Sequence, residues 1–318
     1  MKSRLQVMSE TYRFLFVDTD SRDVAEANVN YRNLFEGGRI DFINDVELLN
    51  LGDINPYISY NEAKNAPDLK INRRIIEACP EMVAESMDNR DLSFGAGALR
   101  LKSRIAFGRK VDKFIDKLQT CINELNQDEI DSAKNVIHYW VVASCNGGTG
   151  SGTVLDVLYL VNMIHRTHVD KGNPKVGLVL YMPRIYMNMN SDNEKYPRNA
   201  FAVFKEIEAF QKWAKESPKN LMFHRMAMVD DYTLFDDKMP YRPFEFCIPV
   251  DYHTDRNSNM GDIEKMYSNT AELMFYIHSG KGAGGFKSFL DNYEDGEVAT
   301  DAAIHSSRTA RPVCARPC

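Results

Sequence analysis

A glycine-rich run at residues 145–153, which reads CNGGTGSGT, constrains this chain more than any other feature. It follows an apolar run at 136–144 that is rich in strand-forming residues, and it precedes an apolar run at 154–161 that predicts a buried helix. This order predicts an anion-binding site, because glycines let the backbone approach a phosphate and the free N–H groups at a helix start point at it. Three hydroxyl side chains are expected to add donors: Thr149, Ser151 and Thr153.

Strand-like and helix-like segments alternate along most of the chain. Strands are predicted at 13–17, 46–51, 136–144, 176–182, 223–229 and 244–250, and helices at 23–27, 99–125, 154–165, 201–213 and 261–278. The alternation predicts an α/β fold with a parallel sheet that is covered on both sides. Ligands of such sheets bind beyond the carboxyl ends of the strands. The glycine-rich run and the turn at 18–20 are both expected to lie there.

Composition and charge exclude several classes of protein. The net charge of -6 argues against a general nucleic-acid surface, and no apolar run approaches the ~20 residues of a membrane-spanning helix. The N-terminus lacks the apolar stretch of a signal peptide. The histidines show no metal-ligand spacing. Four cysteines in or beside apolar segments are expected to be reduced core thiols of a cytoplasmic protein: Cys79, Cys121, Cys145 and Cys247.

Two common nucleotide-binding loops fit the glycine-rich run poorly. A Walker A loop needs Lys and then Ser or Thr after its last glycine, whereas Gly152 is followed by Thr153 and Val154. A dinucleotide fingerprint would place its third glycine at Leu155 and an acid at the end of the next strand, which instead reads YMP at 181–183. An NAD(P)-dependent oxidoreductase is therefore a weaker alternative, and so is a tight turn without a ligand.

The spacing of the run resembles the signature GGGTG(S/T)G of the tubulin/FtsZ superfamily. The matching residues are Gly147, Gly148, Thr149, Gly150, Ser151 and Gly152, and Asn146 replaces the first glycine of the signature. The resemblance is strongest with the divergent prokaryotic tubulin-like proteins. It implies a three-layer, parallel-sheet nucleotide-binding domain that ends in a long core helix, with GTP or GDP as its ligand. On this basis Gly150→Val is expected to abolish nucleotide binding while the fold is retained.

Two further loops resemble the same family in order and position. The strand and turn that end at residue 20 resemble a strand and loop of FtsZ proteins, in which the loop has the sequence Asn-Thr-Asp. The segment ahead of the helix at 99–125 resembles the Gly-Ala-Gly loop that contacts the terminal phosphate, and a helix-capping turn is its alternative interpretation. The resemblance assigns these residues to the nucleotide site: Asp18, Thr19, Asp20, Gly95, Ala96, Gly97 and Ala98.

A Glu-x-x-x-Arg pattern ahead of the next helix is formed by Glu194 and Arg198. In the family the glutamate faces the ribose and the arginine lies near the phosphates. The alternative interpretation is a solvated charge pair at a helix start.

The predicted helix at 261–278 resembles the core helix of the family, in which an aromatic residue stacks on guanine. Tyr267 fits that role. The family reads the base with an acid or amide four positions later, but this chain has Ala271 there. Asn269 or Glu272 would have to substitute, so guanine specificity is implied by the resemblance alone.

The resemblance also implies an activity. The family hydrolyses GTP with Mg²⁺ at the contact between subunits of a head-to-tail homopolymer, and acidic residues of one subunit position the attacking water at the next. Asn292, Glu294 and Glu297 are the candidates for this catalytic role, and a solvated acidic loop is the alternative. A scaffold of the same fold that binds nucleotide without hydrolysing it is the second hypothesis for function.

The two ends of the chain depart from the family pattern. Tubulin-like domains open with a strand and a glycine loop, whereas residues 1–11 resemble only the end of the first helix. We therefore expect residues 1–280 to form an N-terminally incomplete GTP-binding domain, with weak nucleotide binding and low stability. Residues 281–299 are expected to form an acidic loop after the core helix, and residues 300–318 a disordered or non-native tail.

Overall fold

The computed structural model shows an α/β protein with parallel strands. It describes residues 13–25, 47–52, 95–127, 137–169, 174–189, 194–216, 243–251 and 263–278. The predicted α/β class is confirmed over these ranges.

The described elements follow one another in the predicted alternating order. They are β1 (Phe16–Asp18), β2 (Leu48–Asn50), α1 (Arg100–Arg109), α2 (Val111–Gln127), β3 (His138–Ser144), α3 (Gly148–His168), β4 (Lys175–Tyr181), α4 (Arg184–Met189), α5 (Lys195–Glu216), β5 (Phe246–Val250) and α6 (Ile263–His278). A short helical turn at 21–25 follows β1.

Strands β3, β4 and β5 form a parallel sheet with β4 in the middle. Leu178 of β4 pairs with Val141 of β3 on one side and with Cys247 of β5 on the other. Residues 176–181 are all buried, as expected for a central parallel strand that is covered on both faces. The continuous apolar run in the sequence is the consequence of this position.

Alternate residues of β4 pack against different helices. Leu178 and Leu180 belong to the larger core cluster, which includes α3 residues such as Leu158. Val179 and Tyr181 belong to a second cluster with Met266 of α6. Successive side chains of a strand point to opposite faces, so α3 and α6 contact opposite faces of this strand.

A second parallel pair is formed by β1 and β2, in which Val17 pairs with Leu49. The chain leaves β2 through Leu51, whose backbone N–H donates to the carbonyl of Asp18 at 2.7 Å. The turn after β1 and the glycine-rich run after β3 therefore both follow the carboxyl ends of parallel strands. This confirms where the sequence analysis placed them.

Helix α3 lies at the centre of the larger core. It contacts β3 as well as α1, α2 and α5, and Leu158, Leu160 and Ile164 are at most 1% exposed. A helix that is apolar on nearly all sides can only be stable when other elements surround it. Because the glycine-rich run forms the start of α3, the packing of this helix sets the position of that run.

The single helix predicted at 99–125 is wrong, because the structure has two helices that meet at Lys110. The rings of Phe107 and Phe114 pack edge to face across the break with centroids 5.2 Å apart. The Lys110 ammonium donates to the carbonyl of Asn50, and burial lowers its pKa to about 8, with a smaller contribution from the charge of Lys113. The break lies at this contact with β2, which helical periodicity does not reveal.

Other boundaries differ from the predictions. The first strand begins at Phe16 rather than Arg13, α5 begins at Lys195 rather than Phe201, and α4 was not predicted. The strand predicted at 223–229 and the predicted segments 281–299 and 300–318 lie outside the described residues. None of the described helices combines the length and the apolarity needed to cross a bilayer.

A buried ion pair joins α1 to α3. The Arg104 guanidinium donates to both carboxylate oxygens of Asp156 at 3.0 Å, and Asp156 is 1% exposed. We expect Arg104→Met to lower the free energy of unfolding by about 3–5 kcal/mol, because it leaves a buried carboxylate without these two donors.

Urea denaturation followed by circular dichroism would measure this change. The control is Lys205→Met, which removes an exposed ion pair to Glu208 at 2.8 Å and should change the free energy of unfolding by less than about 1 kcal/mol. Equal effects of the two substitutions would contradict the importance of the Arg104 pair.

Candidate functional site

The turn after β1, the segment ahead of α1 and the glycine-rich run meet through side-chain hydrogen bonds. The Thr149 hydroxyl donates to Asp18 Oδ1 at 3.0 Å and lies 2.6 Å from the Thr19 hydroxyl. The backbone N–H of Ala96 donates to Thr19 Oγ1 at 3.1 Å. The structure thus brings together three of the segments that the sequence assigned to one site.

The direction of these hydrogen bonds follows from the protons available. The Ala96 amide can only donate and an ionised Asp18 carboxylate can only accept, so Thr19 donates to Thr149 and Thr149 donates to Asp18. The chain of donors therefore runs from Ala96 to Asp18. Thr19 is 1% exposed, so this link is protected from competition by water.

The two aspartates of the turn have different partners. Asp18 Oδ1 also accepts the backbone N–H groups of Thr19 at 2.6 Å and of Asp20 at 3.1 Å. Asp20 caps the helical turn at 21–25 by accepting the backbone N–H of Arg22 at 2.9 Å. The side-chain hydrogen bond from Arg22, together with its charge, lowers the pKa of Asp20. Asp18 organises the turn itself, whereas Asp20 stabilises the helical segment after it.

The glycine-rich run begins α3, with Gly147 as the N-cap and Gly148 as the first helical residue. The N–H groups in the first turn of a helix have no acceptor within the helix, and they lie at the positive end of its dipole. No acidic residue occupies the first turn of α3. The Gly147 N–H donates to the Ser144 hydroxyl at 3.4 Å, so the backbone at 148–150 has the chemistry of an anion-binding site.

The Ser151 and Thr153 hydroxyls, which the sequence predicted as ligand donors, donate within α3 in the structure. The Ser151 hydroxyl donates to the carbonyl of Gly147, and the Thr153 hydroxyl donates to the carbonyl of Thr149 at 2.8 Å. Both side chains are buried. A hydroxyl near the start of a helix readily bonds to the carbonyl four residues before it, so these protons are used inside α3. Thr149 is likewise engaged with Asp18, and ligand contacts fall to the backbone.

The glycines of the run serve two different purposes. A Cβ at Gly150 would lie 2.5 Å from the carbonyl oxygen of Ser144, and one at Gly148 would lie 2.6 Å from the Ala96 side chain. Gly152 is similarly blocked by the backbone of Arg100. These three positions need glycine for packing inside the protein. The expectation that Gly150→Val would leave the fold intact is therefore wrong.

Gly147 and Gly97 face open space instead. A Cβ at Gly147 would meet only the Ser144 hydroxyl, at 4.0 Å, and one at Gly97 would meet nothing within 4 Å. Gly147 has φ -70°, which any residue can adopt. These two glycines, on two different loops, are the positions at which a ligand could approach the backbone.

The segment 95–98 has a backbone that favours glycine. Gly95, Gly97 and Ala98 have φ values of 82°, 58° and 60°, in the left-handed region that L-residues rarely occupy. Ala98 has this conformation in a loop that is bonded to Thr19 through the backbone N–H of Ala96. The strain is consistent with a loop whose shape is set by contacts beyond its own sequence.

The tyrosine predicted to stack on a base lies on α6 beside two other tyrosines. The Tyr267 hydroxyl is 2.8 Å from that of Tyr186, and its ring packs edge to face on Tyr181 at 5.0 Å. Burial raises the pKa of Tyr186, and a hydrogen bond with Ser144 opposes this rise. Since Ser144 immediately precedes the glycine-rich run, the tyrosines border the site. Tyr267 remains 40% exposed, so it is accessible to a ligand.

The base-reading position departs from the family pattern, as the sequence indicated. Ala271 is 1% exposed and packs in the core, whereas Asn269 is half-buried and Glu272 is exposed.

Glu194 and Arg198 pair with each other rather than with the loops. Their side chains form an ion pair at 2.8 Å and are 79% and 76% exposed. Arg198 lies in the first turn of α5 and not ahead of that helix, which corrects the predicted boundary. The geometry is that of the solvated pair considered as the alternative.

Three residues that the sequence analysis did not assign contact the site. Asn199 donates to carbonyls of two loops, Arg100 donates to the carbonyl of Ser151 and to Glu206, and Tyr186 bonds to Tyr267. Asn199 could have been noticed as a polar residue on the inward face of α5, beside the buried Ala200. Arg100 and Tyr186 carry no local signal.

The remaining predictions concern the cysteines, metal binding and the catalytic residues. Cys121, Cys145 and Cys247 are free thiols, as predicted, and burial raises the pKa of Cys145 to about 12. His165 bonds to the Tyr139 hydroxyl at 2.9 Å. Across the described ranges no group of His, Cys, Asp and Glu side chains could hold a metal ion. Cys79 and the predicted catalytic residues Asn292, Glu294 and Glu297 lie outside the described residues.

The comparisons with known proteins identify the family. Residues 4–310 match the family described as tubulin like. The chain belongs to this tubulin-like family. No curated protein and no solved structure matches it. The match agrees with the resemblance of the glycine-rich run to the tubulin/FtsZ signature, and it gives no support to the dinucleotide alternative.

The two kinds of glycine should respond differently to the addition of a methyl group. Gly150→Ala should lower the free energy of unfolding by about 1–3 kcal/mol, because the backbone of Ser144 cannot move aside, although alanine itself favours a helix. Gly147→Ala, the matched control, should lower it by about 1 kcal/mol or less. Thermal unfolding of both variants would measure the difference, and equal effects would show that the packing contrast is wrong.

Proposed function

We propose that this tubulin-like protein binds a guanine nucleotide where the three loops meet, assembles head to tail into filaments and hydrolyses GTP at the contact between subunits. The observation that carries the proposal is the chain of hydrogen bonds from Ala96 through Thr19 and Thr149 to Asp18. It joins the segment 95–98 to the turn after β1 and to the start of α3, and these last two follow the carboxyl ends of parallel strands. In open α/β sheets this is the usual place for a nucleotide.

The phosphates would be held mainly by backbone groups. The N–H groups at 148–150 and the dipole of α3 attract negative charge, and Gly147 and Gly97 leave space for its approach. The exposed part of Tyr267 offers a ring on which a base could stack. In this arrangement the fold would be the three-layer nucleotide-binding domain of the superfamily, with residues 1–280 as its extent.

Mg²⁺ would be held largely through the nucleotide. This ion commonly uses one or two carboxylates together with substrate phosphates, and Asp18 is the carboxylate bonded to the glycine-rich run. The ion would neutralise charge on the phosphates. Asp18 and the start of α3 would fix where those phosphates lie.

Filament formation would complete the catalytic site. A head-to-tail contact is heterologous and propagates into an open polymer. Asn292, Glu294 and Glu297 of one subunit would position the attacking water at the nucleotide of the next, where placement and charge stabilisation provide most of the rate enhancement. The free thiols at Cys121, Cys145 and Cys247 fit a reducing compartment such as the cytoplasm, and a divergent prokaryotic member of the family is our proposal for its origin.

A scaffold that binds nucleotide without hydrolysing it is the second candidate. Two observations favour it: the base-reading position holds the buried Ala271, and Glu194 and Arg198 are paired with each other in solvent. GTP-dependent light scattering together with phosphate release would separate the two functions, because a scaffold would show neither turnover nor nucleotide-driven growth.

The first test is the nucleotide itself. We expect the purified protein to release GDP or GTP on denaturation, identified by ion-exchange chromatography. Gly147→Val should weaken binding of a fluorescent GDP analogue by about tenfold or more, because its side chain would occupy the open space beside the backbone N–H groups. The Lys205→Met variant should bind like the unchanged protein. Unchanged affinity of Gly147→Val would remove the glycine-rich run from the site.

The catalytic assignment has a separate test. Glu294→Gln and Glu297→Gln should retain GDP binding and lose most GTP hydrolysis, by about 100-fold or more, because the carboxylates act at the neighbouring subunit. Phosphate release at a protein concentration that supports light scattering would measure the loss. Full activity in both variants would assign hydrolysis to other residues.

A further inference from the structure

One buried side chain connects two loops of the site to a third element. The Asn199 side-chain amide donates one hydrogen to the carbonyl of Ala98 and the other to the carbonyl of Asn146, both at 2.8 Å. Asn199 is the fifth residue of α5 and is 9% exposed. Both donors of its nitrogen are therefore used on backbone groups that belong to different loops.

The chemistry of the amide explains why this position suits asparagine. Its nitrogen carries two protons that point in different directions, and both acceptors here are carbonyl oxygens that have no proton to donate. An aspartate of the same shape would place oxygens against these carbonyls and could not replace the two bonds in its ionised form. The side chain thus sets the separation of Ala98 and Asn146 by hydrogen bonding as well as by packing.

The two loops are already joined at another point. Ala96 is linked through Thr19 to Thr149. Asn199 adds a second link between the same two loops, from Ala98 to Asn146. Ala98 has a left-handed backbone, with φ of 60°. A non-glycine residue stays in that region only when its surroundings hold it there, and the bond from Asn199 to its carbonyl is one such restraint.

A second polar contact ties α5 to the same region. Glu206 accepts hydrogen bonds from the Arg100 guanidinium, which also donates to the carbonyl of Ser151 at 2.9 and 3.1 Å. Helix α5 is therefore attached near the start of α3 at two points, through Glu206 and Arg100 and through Asn199. The exposed ion pair of Glu194 and Arg198 joins the residue before α5 to the first turn of that helix.

We propose that Asn199 is a positioning residue that holds the segment 95–98 and the glycine-rich run at the separation needed to bind phosphate. The proposal rests on the proposed nucleotide-binding function. Both loops would contact the bound nucleotide, and Asn199 would keep the distance between the two loops constant. Loss of its two hydrogen bonds widens that gap and lowers nucleotide affinity without touching the ligand.

The chain contains a matched control for this residue. The side-chain amide of Asn162 also donates to two carbonyls, those of Leu158 at 2.8 Å and Pro243 at 2.7 Å, and Asn162 is 3% exposed. It lies in α3, well beyond the first turn. The same substitution at Asn162 removes the same number of buried hydrogen bonds at a place that does not face the loops.

The first experiment compares Asn199→Asp with Asn162→Asp in the full chain. We expect both variants to unfold at lower temperature by similar amounts, and only Asn199→Asp to bind a fluorescent GDP analogue at least about tenfold more weakly. Asn199→Ala and Asn162→Ala provide the same comparison if a buried carboxylate prevents folding. Equal loss of affinity at both positions, or no loss at Asn199, overturns the proposal.

Hydrogen exchange without nucleotide distinguishes failure of this proposal from failure of the proposed function. Asn199→Asp should increase exchange in peptides that cover 95–99 and 145–150, whereas Asn162→Asp should leave these peptides protected. Another outcome is that the unchanged protein binds no nucleotide while the two variants still differ in exchange in this way. In that case the nucleotide function is wrong and the loop separation is still set by Asn199. Unchanged exchange in both peptides overturns the role of Asn199 itself.

Discussion

Each hydroxyl in the hydrogen-bond chain from Ala96 to Asp18 has one proton to donate, and this limit determines how the site is built. Thr19 and Thr149 are oriented because an amide lies at one end of the chain and a carboxylate at the other. A change in one link would leave a buried polar group without a partner, which costs about 1–3 kcal/mol. The three loops are thereby held together, and their backbone groups are left for a ligand.

The packing of the helices stabilises the place where the three loops meet. Helix α3 is buried against β3, α1, α2 and α5, and the pair of Arg104 with Asp156 prevents α1 from shifting along it. Arg100 and Asn199 attach the start of α3 to α5. Anion binding by backbone groups requires such rigidity, because N–H groups stabilise a charge strongly only when they are already oriented toward it.

Local sequence patterns pointed to the loops that meet in the structure but did not show what each of their residues contacts. Glycine, threonine and serine in the run at 147–152 indicated a strand, a turn and a helix start, and the structure has all three. The same pattern could not separate Gly147, which faces open space, from Gly150, which packs on the backbone of Ser144. The pattern also could not show that the Ser151 hydroxyl donates within α3, because a hydroxyl that bonds within its helix looks the same in sequence as one that faces a ligand.

The sequence by itself determined the α/β class, the parallel arrangement and the family, because periodicity, turn residues and the glycine signature are local properties of the chain. Only the tertiary structure decided which groups face the site. Lys110, at the break between two helices, bonds to Asn50, and the link made by Asn199 depends on loops that lie far from it in sequence. Such contacts form between residues that approach each other only when the helices pack, so no pattern along the chain encodes them.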